Sequence, residues 1–355
     1  MQTPGVPLRH QRRATLLTLI VAAASLVLFA YTLRQAGMAE IADGIRRLGW
    51  GGFLAILALS GIRLVVRSLA WMRCVEGPRP LRFADALDAT LMGDALGNIT
   101  PLANLLSEPS KAVFVRGRVP FNAALAGIVV ENIIYTASVA LMIGLGASVF
   151  LVAFQLPEEL RAAAVGALAG VGVVVAAAYV ILRTRARPVA AAAGWLRRRG
   201  VAPAWLDAWT PRLQRFEEGV GSFTTRNRRH LVPLLLYESA FHLAGVAEVF
   251  VTLSLILPGE VTIVTALVVE STGRVINVLF KFVPFRVGVD EAGNALLALP
   301  LGLPPASLVS LALVRKARIL VWTAAGVALL LRRGLSVRRA LHEAHSAATA
   351  VTPPS

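Results

Sequence analysis

The chain has 355 residues, 56% of them apolar and 16% charged, with a mean hydropathy of +0.68 and a formal net charge of +16. Apolar residues spread this evenly exclude a soluble enzyme and predict an all-α polytopic membrane protein. The basic excess does not argue for nucleic acid, because the basic runs lie beside apolar spans, as the positive-inside rule requires, with no soluble core between them.

In chain order, residues 14–33 are the first expected span, which at about 20 residues is too long for a signal-peptide core. A loop to Trp50 follows, mixing Arg34, Arg46 and Arg47 with Glu40 and Asp43, a weak sign that suits an outer loop. The second span, 53–72, carries Arg63 and Arg67 one turn apart with Trp71 a further turn on, which puts two guanidiniums and an indole on one face. Snorkelling to the headgroups is one reading of the two arginines, and a bidentate phosphate clamp is the other. Cys74 is the single cysteine, so no internal disulfide is possible.

Residues 84–106 are apolar on average yet hold Asp85, Asp88, Asp94, Asn98, Thr100 and Pro101. A lipid-facing helix cannot carry that load, since each unsatisfied polar group in hydrocarbon costs about several kcal/mol. The segment is expected to enter the membrane, break at 98–101 and return as a half-helix toward Lys111, Arg116 and Arg118. Residues 121–150 then span with Glu131 and Asn132 inside, and 163–182 span back. Residues 183–230 hold 11 arginines against Asp207, Glu217 and Glu218, which predicts a cytoplasmic basic loop with a short amphipathic helix pair around Trp205 and Trp209. Residues 231–257 span with Glu238, His242 and Glu248 inside. Residues 261–300 repeat the broken pattern, with Glu270 and Arg274 at i,i+4 satisfying one another. The last span, 305–331, is held inside by Arg332, Arg333, Arg338 and Arg339, and 332–355 form a cytoplasmic tail.

The two broken segments match. Pro101 and Glu108 are seven residues apart, as are Pro284 and Glu291, and each pair has an Asn upstream, Asn98 and Asn277. Beyond each Glu a second proline, Pro120 or Pro304, opens an apolar helix with a charge on its third turn, Glu131 or Arg315. Paired broken segments are the sequence mark of a transporter built from internal repeats. The expected architecture is one domain, 1–355, of about six spanning helices plus two re-entrant helical hairpins arranged as inverted repeats, 14–150 and 163–331, with both termini cytoplasmic. Inverted repeats place a binding site near the midplane at their interface.

The chemistry expected there is anion binding. Half-helices ending inside a membrane aim unpaired N–H groups and a partial positive charge at whatever lies at their tips. Arg63, Arg67, Arg274, Arg286 and Arg315 add full charges, and Asn98, Pro101, Asn277, Pro284 and Gly288 shape the cavity. Glu108, Glu131, Glu238 and Glu291 serve as counter-charges, amine ligands or proton carriers, and sequence does not choose among these. A phosphate-bearing lipid headgroup fits this setting. No phosphate-cradling G-x-x-x-x-G-K-S/T loop, H-E-x-x-H or G-x-S-x-G is present, so neither a cofactor, a metal nor a catalytic set is expected.

The motifs Asn98-Ile-Thr-Pro, Ser107-Glu108, Val130-Glu131, Pro284-x-x-x-Gly288-x-x-Glu291 and Leu301-Gly302-Leu303 followed by Arg315 carry a resemblance. The chain resembles the flippase-like membrane domain family, the membrane region of lysylphosphatidylglycerol synthases, over its whole length. The resemblance implies a bacterial inner-membrane protein that moves modified or isoprenoid-type lipids between leaflets, with anionic lipids and lipid-synthesis enzymes as partners. Two departures are visible: no glycine lies between Pro101 and Glu108, and Asn132 stands where an Arg commonly follows the helix Glu. With no soluble aminoacyl-transfer domain expected after the last span, translocation rather than synthesis is the leading expectation. A lipid-headgroup transferase using Glu108 or Glu291 as base, and a non-transporting scaffold, are the alternatives.

Overall fold

The computed structural model describes residues 24–76, 80–99, 103–184, 195, 228–280, 283 and 286–333, without the side chains of 103–106, 177–184 and 228–231. Pro101 and Pro284, most of the 183–230 loop and the tail fall outside them. Every regular element among the described residues is a helix. They are α1 (24–36), α2 (Met38–Cys74), α3 (Phe83–Ile99), α4 (Ala103–Phe114), α5 (Phe121–Ala153), α6 (Glu158–Thr184), α7 (Arg228–Ile256), α8 (Ile263–Leu279), α9 (Val289–Leu301) and α10 (Pro305–Arg332). Four of them, within α2, α5, α6 and α7, are long and apolar enough to cross a membrane. Helix α10 is long enough at 28 residues, but Arg315, Lys316 and Arg318 interrupt its apolar run.

The expected outer loop before Trp50 is instead helical. Its Ile41 and Leu48 fall on one face and are buried, Ile41 against Ala306 and Val309, Leu48 against Ile56 and Val314, while Asp43 and Arg47 pair on the exposed side at 2.8 Å. Gly49 (φ 59°, ψ −177°) separates this amphipathic stretch from the span that follows. Local chemistry sets the other boundaries. Thr262 caps α8 by accepting from the Thr265 N–H at 3.1 Å. Pro304 and Pro305 open α10. Helix α9 begins after Gly288 (φ 82°), whose N–H donates to the Glu291 carboxylate at 2.8 Å, and it closes at left-handed Gly302 (φ 65°).

Both expected breaks are present: α3 ends at Ile99 and α4 starts at Ala103, while α8 ends at Leu279 and α9 starts at Val289. Helices α3 and α8 have 17 residues, α4 has 12 and α9 has 13. At about 1.5 Å per residue the longer two reach roughly 25 Å, short of the ~30 Å hydrocarbon core. Helix α4 folds back on α3, and Gly93 lets them close: a Cβ there would come within 3.0 Å of the Ser107 carbonyl.

Helices α2, α7 and α10 pack together at the centre. The first broken pair lies against α2, α5 and α10, and in the second pair α8 lies on α5 and α7 while α9 lies on α10. Helix α6 packs on α5 and leaves an apolar surface that includes Val165, Val173 and Val175 outward, as lipid contact demands. The principal core, around Val249, Leu253, Val268, Leu308 and Leu311, joins α7, α8 and α10.

Candidate functional site

The interior of this bundle is charged. Around Arg67 of α2, the guanidinium stands 3.4 Å from Glu131 of α5 and 3.8 Å from Glu108 of α4, donates to Asn132 Oδ1 at 3.1 Å, and covers the Tyr135 ring at 4.4 Å. Glu108 continues to Lys111 Nζ at 3.2 Å, and Lys111 to Asp94 of α3 at 3.1 Å. Lys111 was expected at the cytoplasmic end of the returning half-helix; it is 3% exposed. Two carboxylates hold its ammonium inside, which is what a cation at membrane depth requires.

A second and larger group centres on Glu248 of α7, which is fully buried. It receives Arg63 of α2 at 3.3 Å, Arg315 of α10 at 3.4 Å, and Arg318 of α10. Arg315 also binds Glu270 of α8, whose other oxygen takes Arg274 at 2.5 Å. Glu270 and Arg274 thus pair as expected, but within a network rather than alone. Lys316 bridges Asp290 and Glu291 at 3.2 Å each, and Arg286 reaches Asp290 and the Asn277 side-chain oxygen, again at 3.2 Å. Phe241 lies under both Arg63 and Arg274, at 4.4 and 5.1 Å from its centroid. Tyr135 joins the two groups, since its hydroxyl accepts from Arg274 at 3.4 Å while its ring faces Arg67.

Two cavities adjoin these groups. One of about 210 Å³ lies between α2, α3, α7 and α10, with Ser60, Arg63, Arg67, Asp94, Asn98, Phe241, Arg318, Trp322 and Thr323 in its wall. The other, about 80 Å³, is lined by Arg63, Glu270, Arg274, Asn277, Arg286, Asp290, Asn294, Arg315, Lys316 and Arg318. Arg63, Arg318 and Ile319 belong to both walls. Among the described residues these two chambers share a side.

The predicted residues distribute as follows. Arg67, Glu108 and Glu131 meet in the first group, and Arg63 and Arg315 in the second. Asn98 lines the larger cavity and donates to Thr323 at 2.9 Å, and Asn277 lines the smaller one. Gly288 and Glu291 form the N-terminus of α9, where the Glu291 carboxylate accepts from the Gly288 N–H and pairs with Lys316. Pro101 and Pro284 are outside the described residues. Arg63 and Arg67 both line the larger cavity. Their stems share a face of α2, but one guanidinium turns to α7 and the other to α5, while the buried Trp71 indole donates to the Ala124 carbonyl at 3.2 Å.

Sequence reasoning passed over Glu248, Arg318, Lys316, Asp94, Trp322 and Thr323 as site residues. The available signal was Arg315-Lys316-Ala-Arg318, three cations within one helical turn of an otherwise apolar span. Glu238 and His242 do not bond each other directly. Ser138 Oγ lies between them, 3.1 Å from Glu238 Oε2 and 3.0 Å from His242 Nε2, and His242 Nδ1 is buried without a hydrogen-bond partner. Among the described residues no three His, Cys, Asp or Glu side chains converge to hold a metal ion.

No curated protein and no solved structure matches the chain. A family model does, from residue 16 to residue 326, and that match takes in both broken pairs and both charged groups. By this match the chain belongs to the lysylphosphatidylglycerol synthase TM region family, a family of membrane domains.

Proposed function

We propose that this chain moves an anionic, modified or isoprenoid-type lipid between the leaflets of a bacterial inner membrane, with the headgroup passing through the charged interior and the tails remaining in the bilayer. The carrying observation is a pair of cavities at the depth of the spanning helices whose shared wall, Arg63 and Arg318, is held by the one carboxylate of Glu248. Charged chambers of this kind have no use in a purely structural membrane domain, since each buried ion must be desolvated and paired.

The contacts support two repeats, α2–α5 and α7–α10. Helix α2 packs on its counterpart α7; α3 packs on α10 as α8 packs on α5; α2 on α3 is matched by α7 on α8. The charges are exchanged as well, for Arg67 with Glu131 in the first half corresponds to Glu248 with Arg315 in the second. Helices too short to cross, joined at sharp breaks, fit re-entrant hairpins entering from opposite faces. Both termini are cytoplasmic in this reading, and lipid-synthesis enzymes are partners that deliver the lipid.

The protein is not an enzyme on this proposal. Glu108 and Glu291, the candidate bases of a transferase, are counter-charges to Lys111, Arg67 and Lys316. One observation favours a second reading, group transfer to a lipid: Ser138 Oγ is 3.0 Å from an imidazole nitrogen of His242. A working nucleophile–base pair needs a third group on the far nitrogen, yet Glu238 bonds the serine instead. Vesicles reconstituted with the purified chain and a fluorescent anionic lipid distinguish the readings. Transport predicts headgroup movement above that of empty vesicles, reduced at least tenfold by Asp94→Asn at equal protein incorporation. Product formation without movement identifies the transferase, and neither movement nor product sinks both in favour of a scaffold.

A further inference from the structure

We infer that the smaller cavity is a binding site for a doubly charged phosphate-class anion, a phosphomonoester or diphosphate end rather than a singly charged phosphodiester. The inference takes its lipid source from the proposed function, but the site itself stands on the charge count. Six cations converge there, Arg63, Arg274, Arg286, Arg315, Lys316 and Arg318, and the carboxylates that pair with them are four, Glu248, Glu270, Asp290 and Glu291. Two positive charges are left over among the described residues. Glu238, the other acid on α7, bonds Ser138. At membrane depth a surplus of two calls for two negative charges from elsewhere.

The donors ask for the same ligand. The Nε–H groups of Arg63 and Arg274 are buried without a hydrogen-bond partner, and both side chains line this cavity. Buried N–H groups of this kind are rare unless a ligand meets them, and guanidinium suits tetrahedral oxyanions. The cavity, about 80 Å³, has room for a phosphate group. Arg286 holds its place with φ 48°, a left-handed conformation that non-glycine residues adopt seldom and usually where function requires it. The group around Arg67, in which Arg67 and Lys111 meet Asp94, Glu108 and Glu131, has no positive surplus of its own.

The test is binding, not movement, so it fails independently of transport. The full chain in phosphatidylcholine nanodiscs is titrated with phosphatidic acid, phosphatidylglycerol and inorganic phosphate, and affinity is read by native mass spectrometry. At pH 8, where a phosphomonoester carries close to two charges, phosphatidic acid is expected to bind at least tenfold tighter than phosphatidylglycerol. The ratio should shrink at pH 5 in the unaltered protein, and at pH 8 in Arg286→Gln. Arg47→Gln, which removes an exposed charge elsewhere, should leave it unchanged. Inorganic phosphate binding as tightly as phosphatidic acid keeps the site and assigns it to the free ion. Equal affinity for the two lipids at pH 8, or a pH-independent ratio, overturns the inference.

Discussion

Glu248 faces three guanidiniums, from Arg63, Arg315 and Arg318, with two oxygens and no exposure to water. Replacing it by Gln leaves three buried cations short of their counter-charge, and breaking a buried pair in this way costs about 3–5 kcal/mol. The expected outcome is a marked fall in the apparent unfolding temperature in detergent; a Glu248→Gln protein as stable as the parent would mean that the group is hydrated. Arg67 and Glu131 are in direct contact, so Arg67→Gln and Glu131→Gln should be non-additive, with a coupling of roughly 0.5–3 kcal/mol in a double-mutant cycle. Gly288 makes a backbone prediction. Its φ is 82°, and a Cβ there would run into the Ser25 carbonyl oxygen of α1. Gly288→Ala is expected to destabilise by about 1–3 kcal/mol from conformation alone, whereas Gly170→Ala, facing open space in the interior of α6, should not destabilise and is expected to stabilise by up to about 1 kcal/mol.

At the scale of the element, the broken pairs carry the argument. Helix α3 with α4 and helix α8 with α9 each turn within the bundle, and their partners in packing are exchanged between halves: α10 for α3, α5 for α8. If the hairpins enter from opposite faces, single cysteines at Leu102 and Phe285, introduced on a Cys74→Ser background, are labelled by a membrane-impermeant maleimide from opposite sides of oriented vesicles. Labelling of both from one side would remove the antiparallel arrangement. The breaks themselves were legible because proline and polar residues cannot sit unsatisfied in hydrocarbon. The helix ahead of Gly49 was not legible as a helix. Its charges look like a loop's, and its apolar stripe of Ile41 and Leu48 has meaning only once α10 lies against it.

For the whole molecule, translocation as proposed would require the two proposed repeats to shift relative to one another, and α2 against α7 is one seam between them. Gly52 on α2 comes so near Leu255 on α7 that a Cβ there would stand 2.7 Å from its Cδ1. A disulfide between Gly52→Cys and Leu255→Cys, again without Cys74, should form on mild oxidation, stop headgroup movement and release it on reduction. Unchanged movement in the crosslinked protein would show that the seam stays fixed during the cycle.

The sequence by itself determined the membrane class and the two breaks, because hydropathy and the need to satisfy backbone groups in hydrocarbon act locally along the chain. Tertiary structure alone decided who pairs with whom. Arg63 and Arg67 are one turn apart on one face, yet they pair with different carboxylates 185 and 64 residues away, Glu248 and Glu131. Lys111 and Glu291 read as a helix end and a ligand group; packing made one a buried ammonium and the other its helix's own cap. Long side chains of Arg, Lys and Glu reach several ångströms in any direction from their stems, so their partners are fixed by which helices are neighbours, and no spacing along one helix contains that information.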